Sequence, residues 1–366
     1  MGCAVLVKLT NKRFIVNLYK LTAALLYVFL FISCQDNQAD KSTEQLVPDT
    51  TGTHTSDAPL PVIFDSDMGP DYDDVGAIAM LHNFADEGSA NILATIASTK
   101  YNGVAEVLDA FNTYFNRPDI PVGIPTGKAS ELRDSQHWSD TVRLKYPHSL
   151  RNNKDAEDAV RLYRRILAGQ PDTSVTIITV GFITNIADLL KSEGDSISPL
   201  SGKQLVNKKV KMLVSMAGRF PEGSEFNVNT DPASSQHAFE NFPRPILFSG
   251  FEIGKDIKTG IPLISDSSIQ NSPVKDVFRI SIPMAKEDSA GRMSWDETAV
   301  LVAIKGHEPF YSLNNGKIVV DEKGANKWDS TGTGHFHLVV KAPPVQVQEL
   351  INRLIMHQPI FSTSKH

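Results

Sequence analysis

The sequence predicts an α/β fold: a mostly parallel, Rossmann-like central sheet flanked by helices, with a β-hairpin added near the C-terminal end. Three observations lead there. Short apolar runs recur along the chain and stop at small or polar residues, stretches of helical periodicity separate them, and one turn-rich stretch near the end breaks the alternation. Continuous apolar runs suit strands buried on both faces, as in a parallel sheet covered by helices. Their alternation with helices is the pattern of a doubly wound sheet.

In chain order, residues 62–64 run into Asp65, Ser66 and Asp67, and residues 92–96 into Ala97, Ser98 and Thr99. Residues 175–178 lead to Thr179, Val180 and Gly181, residues 210–214 to Ser215 through Gly218, and residues 245–248 to Ser249 through Glu252. Helical patterns cover 75–84, 103–115, 156–168, 183–191 and 232–240, and a last helix spans 345–356. Residues 315–340 hold Asn-Gly and Thr-Gly turn signals and read as the hairpin. His335 and His337 share one face of it at strand spacing and are expected at the surface, not as metal ligands. Ligands of doubly wound sheets bind beyond the carboxyl ends of the strands, where the polar residues ending each run lie.

A chain of 366 residues, 41% hydrophobic and 21% charged, has the composition of a globular protein with a substantial core. The net charge of -6 and the scattered Lys and Arg leave no basic stripe for nucleic acid. A small molecule is the expected partner, and a homo-oligomer is left open. Lys8, Lys12, Arg13 and Lys20 precede an apolar run, 21–33, too short to span a membrane comfortably. A basic start, a short apolar core and Ser33 before Cys34 form the pattern of an export signal and resemble a bacterial lipobox. The expectation is a signal peptide over 1–34, a lipid on Cys34 as the sole membrane contact, a flexible tether over 35–59 and a single domain over 60–364. That places the protein outside the cytoplasm, anchored in a bacterial cell envelope. Cys3 and Cys34 are the only cysteines, so no disulfide staples the domain.

Asp65, Asp67, Asp71, Asp73 and Asp74 crowd the end of the first strand. Carboxylates this close resist joint ionisation unless a cation neutralises them. Hard oxygen ligands select Ca²⁺ or Mg²⁺ over zinc, and several carboxylates with a backbone carbonyl suit Ca²⁺ better. An EF-hand does not fit, because Gly76 stands where that loop needs its bidentate acid and Gly69 is one position early.

The opening Asp65-Ser-Asp67-Met-Gly69-…-Asp73-Asp74 resembles that of the inosine-uridine preferring nucleoside hydrolases, in a bacterial branch with two extra residues before the paired aspartates. Three more segments are similar, in order: residues 179–187, Met216-Ala-Gly218 with residues 225–232, and Ser294-Trp295-Asp296 at a helix start. The resemblance implies a calcium-dependent hydrolase that cleaves the N-glycosidic bond of ribonucleosides to ribose and free base. It implies Asp67 as general base and metal ligand, Asp74, Asp296 and the Val180 carbonyl as further ligands, and Asp73 as acceptor of a ribose hydroxyl. Glu225 and Asn227 would hold the sugar, and Trp295 would face the base. Trp295 stands where the family carries the histidine that protonates the leaving base, and Asp71 has no family counterpart. Two alternatives remain: hydrolysis of another furanosyl or sugar-like substrate, and a lipoprotein that binds nucleosides or sugars without turnover.

Overall fold

The computed structural model describes residues 58–360. Cys34, the signal region 1–34 and nearly all of the tether lie outside them. The strands are β1 (Leu60–Ser66), β2 (Ala90–Ala97), β3 (Val122–Ile124), β4 (Glu157–Asp158), β5 (Val175–Thr179), β6 (Val210–Met216), β7 (Glu222–Ser224), β8 (Ile246–Ser249), β9 (Lys258–Thr259), β10 (Arg292–Met293), β11 (Tyr311–Val320), β12 (Ala325–Asp329) and β13 (His335–Val340). All but β9 and β10 form one sheet, ordered β4-β3-β2-β1-β5-β6-β8-β13-β11-β12-β7. From β4 to β13 every neighbouring pair is parallel. Antiparallel pairing then adds β11, β12 and β7.

Helices cover both faces, and alternate residues of β1 feed two separate cores. Val62 and Phe64 belong to one, with helices Asp73–Asp86 and Trp295–Lys305; Ile63 belongs to the other, with helices Ala159–Gly169 and Thr184–Lys191. The period-2 geometry of a strand dictates this division. Helix Asp73–Asp86 approaches helix Trp295–Lys305 closely because residue 76 is glycine: a Cβ there would lie 2.1 Å from Glu297 Oε1.

The five apolar runs become β1, β2, β5, β6 and β8, and the antiparallel strands expected over 315–340 are present. They extend the central sheet, since β13 pairs in parallel with β8. His335 and His337 are therefore buried, against the surface position expected for them. His337 stacks on Phe220, with centroids 4.5 Å apart, and the Ile318 N–H donates to His335 Nδ1 at 3.2 Å.

His82 shows what burial does to an imidazole. It stacks on Phe115, with Nε2 3.2 Å from Asn112 Oδ1, and burial pushes its pKa down to about 3. The folded pKa lies below the unfolded one, so stability falls as the pH drops below the ordinary histidine range. At pH 5 the loss is about 2 kcal/mol. His82→Gln, which cannot charge, is expected to flatten the acid limb of a Tm-against-pH curve; superimposable acid limbs would contradict this.

Candidate active site

The aspartate segment leaves β1 where the strand order reverses, with β2 on one side and β5 on the other. A doubly wound sheet opens its ligand crevice at such a switch point. Gly181 lets the two loops meet there, for a Cβ on it would lie 2.2 Å from the Asp67 nitrogen and 2.5 Å from Ser98 Oγ. Val180, just after β5, thereby comes to the Asp67 loop, and its N–H donates to the Asp65 carbonyl at 2.8 Å.

Local hydrogen bonds shape that loop. Met68 N–H donates to Ser66 Oγ (2.9 Å), which donates to Asp74 Oδ1 (2.5 Å), and Tyr101 OH donates to the Met68 carbonyl (2.9 Å). Asp73 and Asp74 open helix Asp73–Asp86, where unpaired N–H groups and the helix dipole favour carboxylates. Asp65 points away, accepting from Tyr163 OH (2.8 Å) and Asn185 Nδ2 (3.0 Å). Despite those bonds, burial raises its pKa to about 7. Asp65 ties β1 to neighbouring helices and contributes nothing to the crevice.

A cavity of about 150 Å³ lies above the switch point. Its polar lining is Asp67, Asp71, Asp73, Ser224, Glu225, Asn227 and Asp296; Met216, Phe226, Phe251 and Trp295 form an apolar wall beside Val180. Every site residue expected from the sequence lines it except Asp74, which is fully buried. Burial first, then neighbouring aspartates, hold the pKa values of Asp67, Asp71, Asp74 and Asp296 well above the carboxylate range.

A buried acidic cluster of this kind can bind a metal ion. Oxygens of Asp71, Asp73 and Asp296 lie within 4.8 Å of one another. This grouping shares only Asp296 with the Asp67, Asp74, Asp296 and Val180 set expected from the sequence. Asp74 Oδ2 adds a telling detail: it is buried with no hydrogen-bond partner. An all-oxygen donor set with an orphaned carboxylate oxygen fits a hard cation.

Sequence reasoning missed Arg292. Its Nη2 lies 2.6 Å from Asp71 Oδ2 and donates to Asp73 Oδ1 at 2.8 Å, while Nε donates to the same Asp73 oxygen at 3.0 Å. Its guanidinium also stacks over Tyr72 and Trp295, 5.1 and 5.2 Å from their centroids. Asp73 Oδ2 accepts the backbone N–H groups of Trp295 (3.2 Å) and Asp296 (3.4 Å). Asp73 therefore joins the starts of two helices. A motif search gives no sign of this pair, because Arg292 lies far from the aspartates in sequence.

The other expected residues also have structural partners. Glu225 caps helix Phe226–Thr230, accepting from Asn227 N–H (2.8 Å), Gly218 N–H (3.0 Å) and Val228 N–H (3.3 Å), and burial raises its pKa to about 7. Asn227 Nδ2 donates to the carbonyls of Val180 (3.2 Å) and Met216 (3.1 Å). Trp295 Nε1 donates to the Phe251 carbonyl (2.8 Å), which fixes the indole in the apolar wall.

Comparison with known proteins bears on the family and the fold. The profile of the family described as "Inosine-uridine preferring nucleoside hydrolase" matches residues 62–351. The pyrimidine-specific ribonucleoside hydrolase RihA of Shewanella sp. (strain MR-4) is 27% identical over 241 residues, which cover 62% of this chain and 66% of that protein. The match thus spans slightly less than two thirds of that relative. Among solved structures, a purine-preferring ribonucleoside hydrolase from Gardnerella vaginalis superposes with a TM-score of 0.64 at 19% identity, covering 81% of this chain and 98% of that one. An inosine-uridine preferring nucleoside hydrolase from Bacillus anthracis gives 0.62 at 14% identity, with 81% and 99% covered. At these identities the structural likeness establishes the fold, and the profile match establishes the family. The chain belongs to the inosine-uridine preferring nucleoside hydrolase family.

Proposed function

We propose that the protein is a calcium-dependent hydrolase that cleaves ribonucleosides to ribose and free base. The observation that carries this reading is the convergence of Asp67 and Asp296 on one cavity, next to the unpaired Asp74 Oδ2, in a chain of this family. Asp67, Asp74, Asp296 and the Val180 carbonyl would hold the ion. A calcium ion there would polarise a water molecule and sugar hydroxyls.

The remaining chemistry belongs to the chain's own residues. Asp67 removes a proton from the attacking water as its oxygen bonds to the anomeric carbon. The N-glycosidic bond breaks, and its electron pair leaves with the base. The surrounding carboxylates stabilise positive charge developing on the sugar. Glu225 and Asn227 position the sugar, and Phe226, Phe251 and Trp295 exclude water from the departing base.

Calcium added to the metal-depleted protein is expected to raise Tm, with about 2.7 kcal/mol gained at a concentration 100 times Kd. It should also switch on ribose release, and chelation should reverse both effects. Full ribose release with an unchanged Tm after chelation would contradict the metal reading. For location, an export signal and a lipid on Cys34 are proposed from Ser33-Cys34 and the basic, apolar start. Cys34→Ser is expected to abolish lipid attachment, and a full-length cytosolic protein retaining Met1 would contradict it.

A further inference from the structure

We infer that Asp71, rather than Asp73, is the carboxylate that accepts a hydrogen bond from a sugar hydroxyl of the substrate. The inference rests on the hydrolase reading above and assigns a role to the residue for which the family offers none.

A carboxylate offers about four acceptor positions, two on each oxygen. All four on Asp73 are taken: Oδ1 by Arg292 Nε and Nη2, and Oδ2 by the N–H groups of Trp295 and Asp296. Its side chain is only 2% exposed. A hydroxyl could bond to it only by displacing the guanidinium or a helix-terminal amide. Displacing either would leave a buried donor unpaired, which costs more than the new bond returns.

Asp71 is in the opposite condition. It lines the same cavity and its side chain is 38% exposed. Arg292 neutralises it through Oδ2 at 2.6 Å, and among the described residues no amide or alcohol donor reaches the carboxylate. One guanidinium thus sets both roles: it saturates Asp73 as an internal strut and holds Asp71 in the cavity with acceptor capacity to spare. The lengthened opening loop supplies the carboxylate that this arrangement needs.

The test uses the calcium-loaded protein and nitrophenyl β-riboside, with its 2-deoxy and 3-deoxy counterparts. Asp71→Asn is expected to raise KM for the riboside roughly 10- to 100-fold, the range for a hydrogen bond to a charged acceptor. For one of the two deoxy substrates the penalties of Asp71→Asn and of the missing hydroxyl should not add, because the variant puts a weaker neutral acceptor into the very bond that the deoxy substrate lacks. Calcium affinity should stay near the wild-type value. Asp71→Ser, which keeps a small polar group beside Arg292, should show the same non-additivity and guards against misfolding of the first variant. Asp73→Asn should instead lower Tm, with penalties that add to both deoxygenations.

An unchanged riboside KM in Asp71→Asn would make Asp71 a mere partner of Arg292 and overturn the inference. Penalties additive with both deoxy substrates would overturn it, as would a calcium affinity that falls in step with KM, the signature of a metal ligand. In each of those cases the wild type still hydrolyses the riboside, so the hydrolase reading survives. Wild-type protein that neither binds nor cleaves any riboside with calcium present would overturn both together.

Discussion

Asp67→Asn is expected to lower ribonucleoside turnover by roughly 10²- to 10⁴-fold, the contribution of a positioned general base. Asp67 lines the cavity, and burial with the nearby charges of Asp71 and Asp73 raises its proton affinity. A carboxylate at that position can take a proton from a water that a bound cation polarises. Asparagine keeps the shape and a carbonyl oxygen that can still reach the ion, so some metal binding and a nearly native Tm should persist. The check is kcat alongside calcium titration. Loss of metal affinity equal to the loss of rate would reduce Asp67 to a ligand, and full activity would remove it from the mechanism.

The second large effect concerns the leaving base. By the sequence resemblance Trp295 stands where the family carries a histidine, and its indole N–H is already given to the Phe251 carbonyl. Phe251, 5.3 Å away between centroids, and the Arg292 guanidinium pack against the ring, so the indole has little freedom to move. Neither an indole nor a guanidinium delivers a proton at neutral pH. Substrates whose aglycone leaves without protonation should therefore be favoured. Nitrophenyl riboside is expected to react roughly 10²- to 10⁴-fold faster than inosine, the size of a missing general acid. Trp295→His should narrow that ratio by raising inosine turnover more than nitrophenyl riboside turnover. Equal rates on the two substrates, with product release excluded as limiting, would show that another residue supplies the proton.

The central strands were legible because burial on both faces leaves a short, largely apolar run, as in β1, β5 and β8. The strands β3 and β4 at one end of the sheet were not, since they are only three and two residues long. Asp65 was readable in principle. It shares its face of β1 with Ile63, which belongs to the core opposite that of Phe64, so it had to point away from Ser66 and the crevice. Within the site, the clustering of aspartates at a strand end carried the location, and the in-order motifs carried the candidates. Which oxygens remain available could not be read, because it depends on donors distant in sequence. Arg292 in β10 and the backbone amides of Trp295 and Asp296 at a helix start fill Asp73 from more than two hundred positions downstream. The burial of His335 and His337 has the same origin: β13 lies inside the sheet only because it pairs with β8.

The most direct test measures free ribose and free base together after the calcium-loaded protein meets a panel of ribonucleosides and nitrophenyl riboside. Hydrolysis of the N-glycosidic bond predicts that ribose and aglycone appear in equal amounts, at a rate that chelation abolishes and Asp67→Asn nearly abolishes. Saturable binding of the same ribosides with neither product released would contradict it and leave a binding protein in place of a hydrolase.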